Sequence, residues 1–325
     1  MGVPMGRAGW ITVLLIFAFI GVNRWAYVQA EAMTHFSTGG TRTEPPEKLS
    51  LVGKIKVIFT GVTFPRPENH QTPLDFHLPF RTFKYPSADT QSLESWSIFH
   101  AEPRCVVLMY AGYGASKASL LPEAKRLYDL GLDPFLTDFQ GTGGSDGARI
   151  TLGFREAEDV AASFAFVPQI GPYKLRVLYG NSMGAVAVMK AVRDGPLKPD
   201  GVILECPFDS LLHTVENRFR LMGLPSFPAA ELLVFWGGVQ NGFNGFKHNP
   251  VDYAEGLHCP VLFMTGEKDA RVTVEQSKAI FDRIPGNKRF VSFEEAGHQS
   301  YAALDGEKWD QNIKNFIQSL PDPIQ

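Results

Sequence analysis

A chain of 325 residues, 44% hydrophobic and 20% charged, has the composition of a folded globular protein, which excludes a disordered or fibrous chain. A net charge of -3 offers no basic stripe to neutralise phosphates, so nucleic acid is excluded as the main partner. Three cysteines, Cys105, Cys206 and Cys259, lie far apart beside apolar runs without metal-ligand or redox spacing, and read as buried core thiols.

In chain order, Arg7 precedes an apolar run over residues 10–22, followed by Asn23, Arg24 and the small-residue site Val28-Gln29-Ala30. This is the form of a secretory signal cleaved after Ala30; extended through residues 25–28, it is the form of an N-terminal membrane anchor. Residues 1–30 are therefore expected to place the body outside the cytoplasm or on a membrane. Residues 31–79 are rich in Thr, Pro, Gly and charge and form an arm or linker. Within it, residues 49–59 are apolar with Lys54 and Lys56 interleaved, a pattern open to a short helix or a surface strand.

From residue 80 to 320, short apolar runs alternate with segments of helical period. That is the pattern of an α/β domain with a mostly parallel sheet covered on both faces. Strands are expected near residues 82–85, 92–99, 105–110, 134–138, 175–179, 201–205, 261–265 and 289–293. Helices are expected over 119–130, 154–166, 183–193 and 308–320. Between 206 and 252 the alternation gives way to a segment rich in Phe, Leu, Trp and Gly, open to a lid over a site or to ordinary packing helices.

Gly180-Asn181-Ser182-Met183-Gly184 follows a buried strand and opens a helix. A sharp strand-to-helix turn holds such a serine hydroxyl exposed at the strand end, and flanking glycines leave room where Cβ atoms would clash. Serine attacks carbonyls only when a base takes its proton, and imidazole suits that near neutral pH. Of eight histidines, His298 alone sits in a loop beyond the last expected strand and before the terminal helix. The carboxylate that orients the imidazole is assigned to Asp269, in the loop after residues 261–265, with Glu267, Glu205 and Asp209 as competitors. A developing oxyanion needs two backbone donors: the Met183 N–H, and one from the Ala111-Gly112-Tyr113-Gly114 loop, taken as that of Tyr113. The Gly-rich stretch 141–147 lacks the pattern of a phosphate-cradling loop.

These motifs, in this order, resemble the alpha/beta-hydrolase superfamily, in particular its serine aminopeptidase-like and prolyl oligopeptidase-like esterases and lipases. Ala111-Gly112-Tyr113-Gly114-Ala115-Ser116-Lys117 looks like the oxyanion loop. Asp138-Phe139-Gln140-Gly141-Thr142-Gly143-Gly144-Ser145 looks like the D-x-R-G-x-G-x-S turn, and Glu205-Cys206-Pro207-Phe208 like the opening of the lid. Ala111 stands where relatives often carry His, and Gln140 where they carry Arg. The resemblance implies acyl transfer to water from an ester, amide or thioester without metal or organic cofactor. The expected partner is a small-molecule or lipid-like acyl substrate; esterase or lipase activity is the first reading, with peptidase, thioesterase or a noncatalytic binding protein as alternatives.

Overall fold

A computed structural model describes residues 6–102 and 105–321. Its helices and strands, in chain order, are α1 (Arg7–Thr34), α2 (Leu51–Thr60), β1 (Phe80–Pro86), β2 (Ser92–Ile98), β3 (Cys105–Tyr110), α3 (Leu121–Asp129), β4 (Asp133–Thr137), α4 (Glu156–Phe166), β5 (Leu175–Asn181), α5 (Met183–Asp194), β6 (Gly201–Glu205), α6 (Leu211–Met222), α7 (Ala229–Asn241), α8 (Pro250–Tyr253), β7 (Val261–Gly266), α9 (Val274–Arg283), β8 (Lys288–Phe293), α10 (Tyr301–Leu304) and α11 (Gly306–Ser319).

The strands form one sheet in the order β1-β2-β4-β3-β5-β6-β7-β8. β1 and β2 join antiparallel at one edge, and every pairing from β4 to β8 is parallel. Parallel strands need crossover helices, which cover both faces and make the strands apolar throughout. β3 shows this clearly. Val106, Leu108 and Tyr110 enter the layer under α4 and α5, while Cys105, Val107 and Met109 enter the opposite layer under α3 and α11. Trp309, Ile313 and Phe316 of α11 close that second layer. α9, absent from the sequence-based expectation, packs Ile280 into the first; its start is marked by a Thr273–Gln276 capping box.

The order places the carboxyl ends of β3, β5, β6, β7 and β8 along one edge, where the loops that bear chemistry in such sheets converge. Asn181 of β5 pairs with Glu205 of β6, and Tyr110 of β3 with Gly180, so the β3–α3 loop and the β5–α5 turn are neighbours.

The apolar N-terminal segment forms a helix whose C-terminal end packs on the body. α1 runs unbroken through Ala30, and Ala26, Gln29, Ala30 and Thr34 are buried near its C-terminal end. Ala30 packs with Phe219 of α6 and with Ala230 and Leu233 of α7. The Trp236 indole N–H donates to Asn23 Oδ1 (3.2 Å) and Gln240 Nε2 to the Tyr27 carbonyl (2.7 Å). Most of residues 49–59 falls in helix α2 (Leu51–Thr60), capped by the Ser50 hydroxyl, and both the Trp25 indole and the Gln29 amide donate to its Ile58 carbonyl. The arm is bound to the body: Phe36 N–H donates to the Ala148 carbonyl (2.8 Å), and Arg66 donates to the carbonyls of Thr142, Gly143, Ser145 and Gly147. That guanidinium thus gathers the carbonyls of the Gly-rich turn. Gln140, where relatives carry Arg, instead donates through Nε2 to Asp159 Oδ1 (3.1 Å) and Asp89 Oδ1 (3.0 Å).

Candidate active site

The elbow is built by close packing. Ser182 has φ 52 and ψ -113, a left-handed conformation that costs a non-glycine residue about 1–3 kcal/mol and persists only when its surroundings enforce it. They do so here. Ser182 N–H donates to the Glu205 carbonyl at 2.7 Å. A Cβ on Gly180 would overlap the Ala185 backbone, and one on Gly184 would overlap the Tyr110 carbonyl. Beneath the turn, the buried Glu205 carboxylate accepts from the Trp309 indole (2.7 Å) and from Asn181 Nδ2 (3.2 Å). Burial, and then neighbouring Glu123, push its pKa up to about 7.

Ser182 Oγ lies 3.0 Å from His298 Nε2, and His298 Nδ1 lies 2.7 Å from Asp269 Oδ2. The carboxylate fixes the tautomer: Nδ1–H donates to Asp269, leaving Nε2 as the acceptor facing the hydroxyl. Asp269 is itself held, because its Oδ1 accepts from the backbone N–H groups of Arg271 (2.8 Å) and Val272 (3.0 Å). The loops carrying Asp269 and His298 are stitched together by Lys268 N–H to the Ala296 carbonyl (2.9 Å) and Glu267 N–H to the Phe293 carbonyl (3.0 Å).

The competing carboxylates have other work. Glu267 Oε1 accepts from the Ser292 hydroxyl at 2.7 Å. Asp209 pairs with His213 Nδ1 (2.7 Å) and accepts from Gln276 Nε2 (3.0 Å). Among the other histidines, His248 is fully buried between the Leu152 carbonyl and the Tyr253 hydroxyl, and burial lowers its pKa to about 4.

Gly112 presses against the elbow: a Cβ there would come within 3.2 Å of Asn181 Oδ1 and 3.5 Å of Ser182 Cβ. Neither the Tyr113 nor the Met183 N–H donates to a backbone carbonyl among the described residues. The Tyr113 hydroxyl donates to the Met33 carbonyl at 2.5 Å, tying this loop to the end of α1.

Sequence spacing did not reveal that Cys206 belongs to this group. It follows β6 with φ 41, lines the same cavity as Ser182, and offers its sulfur within 4.8 Å of ligand atoms of Asp269 and His298. Three such donors resemble part of a metal site, but Asp269 Oδ2 and His298 Nδ1 already satisfy each other, an arrangement that suits proton transfer. Burial disfavours a charged His298; Cys206 and the bonded Asp269 outweigh it, and the net shift is upward. A general base acts only when neutral, so kcat/KM should rise with pH through an acid limb above the ordinary imidazole value of about 6.5. Asp269→Asn removes the bonded carboxylate's upward contribution and is expected to move that limb to lower pH. A wild-type limb at or below about 6.5, or one that Asp269→Asn leaves in place, would contradict this electrostatic assignment.

Ser182 and His298 open on a cavity of about 410 Å³. Leu211, Val215 and Phe219 of α6 and Leu233 and Val234 of α7 line it, so the 206–252 segment supplies part of its wall. Ala30, Met33 and Thr34 of α1 form another part of the wall.

The family model described as serine aminopeptidase, S33, matches residues 101–227, a span that includes Ser182 and ends before Asp269 and His298. The chain is 22% identical over 250 residues to the uncharacterized protein YqkD of Bacillus subtilis, covering 75% of this chain and 81% of that one. It is 25% identical over 255 residues to an uncharacterized membrane protein of Saccharomyces cerevisiae, covering 77% and 84%. The Pyrococcus furiosus esterase Pf2001 superposes with a TM-score of 0.69 at 20% identity, over 87% of this chain and 99% of that one. With its sheet order, its elbow and these likenesses, the chain has the alpha/beta-hydrolase fold.

Proposed function

We propose that this protein is a serine hydrolase that cleaves carboxylic esters of hydrophobic acyl chains through an acyl-enzyme. The observation that carries the reading is the hydrogen-bonded series Ser182–His298–Asp269 opening on a largely apolar cavity. Ser182 Oγ attacks the substrate carbonyl carbon as His298 Nε2 takes its proton, and Asp269 stabilises the imidazolium. The carbonyl oxygen, now an oxyanion, accepts from the Met183 and Tyr113 N–H groups. Collapse breaks the ester C–O bond, and the alcohol leaves with the proton from His298. Water then gives a proton to His298, attacks the acyl-enzyme, and releases the carboxylic acid as Ser182 recovers its hydrogen.

The helix α1 is assigned as a retained membrane anchor. It is 28 residues long, only 6% of its most apolar window is buried, and its last turns are built into the cavity wall, which supports retention beyond Ala30. The Saccharomyces relative called a membrane protein agrees with this reading.

The test is a chain-length series of p-nitrophenyl esters beside the matching anilides. A cavity of this volume and lining should favour acyl chains of about six or more carbons, each buried methylene adding about 0.8 kcal/mol until the cavity is filled. Preference for the anilides would overturn the esterase assignment. Equal turnover of acetyl and octanoyl esters would overturn the apolar acyl site.

A further inference from the structure

One surface beside the cavity carries apolar side chains with no protein over them. On α2, Leu51, Val52, Ile55 and Phe59 are 74%, 76%, 49% and 80% exposed. Residues 51, 55 and 59 recur every four positions with 52 beside them, so they form one stripe along the helix. The stripe is held outward by polar ties on the protein side. Lys54 Nζ donates to the Met222 carbonyl (2.9 Å), and Trp25 and Gln29 of α1 hold the Ile58 carbonyl. Phe235 and Val239 of α7, the helix that packs along α1, are exposed as well.

Such a patch is costly in water, because soluble surfaces seldom gather large apolar side chains together. Its position identifies the cover. α2 is bonded directly to α1, whose exposed side chains Leu14, Leu15, Phe17 and Phe19 suit hydrocarbon, so whatever membrane α1 enters lies next to α2. A short helix with an apolar face and exposed Lys56 on its flank fits the headgroup boundary of a bilayer. The other side of α2 faces inward: Val57 lines the cavity, together with Leu49 just before the helix and Ala30, Met33 and Leu233 from α1 and α7. The same three helices therefore carry exposed apolar side chains and also line the cavity that holds Ser182.

We propose that the α2 stripe lies in the surface of the membrane crossed by α1, and that the seam between α1, α2 and α7 admits membrane-resident acyl lipids to Ser182. This inference rests on the hydrolase reading above. It specifies where the substrate comes from: the hydrocarbon of the bilayer, entered without passage through water.

Two measurements on the full chain in phosphatidylcholine vesicles test it. In the first, Phe59→Cys carries an environment-sensitive nitrobenzoxadiazole label. Blue-shifted emission quenched by spin-labelled lipids is expected, whereas emission indifferent to those lipids overturns the proposal, including when another protein or a second copy covers the stripe. In the second, the double variant Leu51→Glu, Phe59→Glu is compared with wild type on water-soluble 4-methylumbelliferyl butyrate and on the palmitate ester dissolved in the vesicles. Palmitate turnover should fall by about tenfold or more while butyrate turnover stays within about twofold. Equal loss on both substrates, or none on the palmitate, overturns the proposal. A wild type that turns over neither ester would instead defeat the hydrolase reading, and the label at position 59 would still decide where the stripe lies.

Discussion

Ser182→Ala is expected to remove ester turnover by on the order of a million-fold in kcat, with KM nearly unchanged. The size follows from the geometry. No other hydroxyl stands at 3.0 Å from His298 Nε2 among the described residues, so the base loses its partner and the carbonyl loses its nucleophile together. His298→Ala should cost nearly as much and add little in the Ser182→Ala background, because residues that act as a unit are not additive. Asp269→Asn should cost less, about ten-thousand-fold, since the amide can hold the ring in the wrong tautomer. Steady-state kinetics on a soluble ester reads all three. Additive losses, or a Ser182→Ala protein retaining a tenth of wild-type turnover, would place the nucleophile elsewhere.

The second large effect is on stability. Lys117 is fully buried, and its ammonium pairs with the equally buried Asp138, donates to Glu94 Oε1 (2.9 Å) and lies 4.3 Å above the Trp96 ring. Asp138 also accepts from the Lys117 N–H (2.7 Å), the Gly144 N–H (2.9 Å) and Asn69 Nδ2 (2.8 Å), so one carboxylate joins the end of the β3–α3 loop, the Gly-rich turn and the arm. Lys117→Met leaves that carboxylate buried without its counter-ion, a change that costs about 3–5 kcal/mol. For a domain of this size the melting temperature of the detergent-solubilised protein should drop by roughly 10 °C or more. Lys117→Met with Asp138→Asn should recover part of the loss, because no unpaired charge is left buried, while the single amide oxygen replaces only one of the two carboxylate oxygens that accept from N–H groups. A single variant that melts like wild type, or a double variant worse than the single, would contradict this account of the network.

Much of the sheet was legible because a parallel sheet writes its strands as continuous apolar runs. The runs at 105–110, 201–205 and 261–265 match β3, β6 and β7 to within a residue. Ser182, Asp269 and His298 could be nominated because each sits at a loop position directly after such a run, and the structure brings all three into hydrogen-bonding reach. Spacing could not separate Asp269 from Glu267, Glu205 or Asp209, since all four lie near the same sheet edge. Only the directions of the side chains do that. Cys206 was read as ordinary core because its one relevant property, proximity to His298 and Asp269, arises from strands paired in space. The arm was the least legible part. Arg66 on the Gly-rich turn, Arg42 on the Gly114 carbonyl and Trp25 on α2 are contacts between distant segments, and local periodicity carries no trace of them. Residues 49–59 illustrate the remaining ambiguity: eleven residues rich in apolar side chains, with two lysines, satisfy either period, and the structure shows a helix tied to α1.

The central claim is that Ser182 is an activated nucleophile, and covalent labelling with a fluorophosphonate probe, read by mass spectrometry of the modified peptide, tests it most directly. The account predicts modification of the wild type on Ser182, slowed by Asp269→Asn and absent in Ser182→Ala. Folded wild-type protein that resists the probe, or that takes it on another residue, would contradict the account.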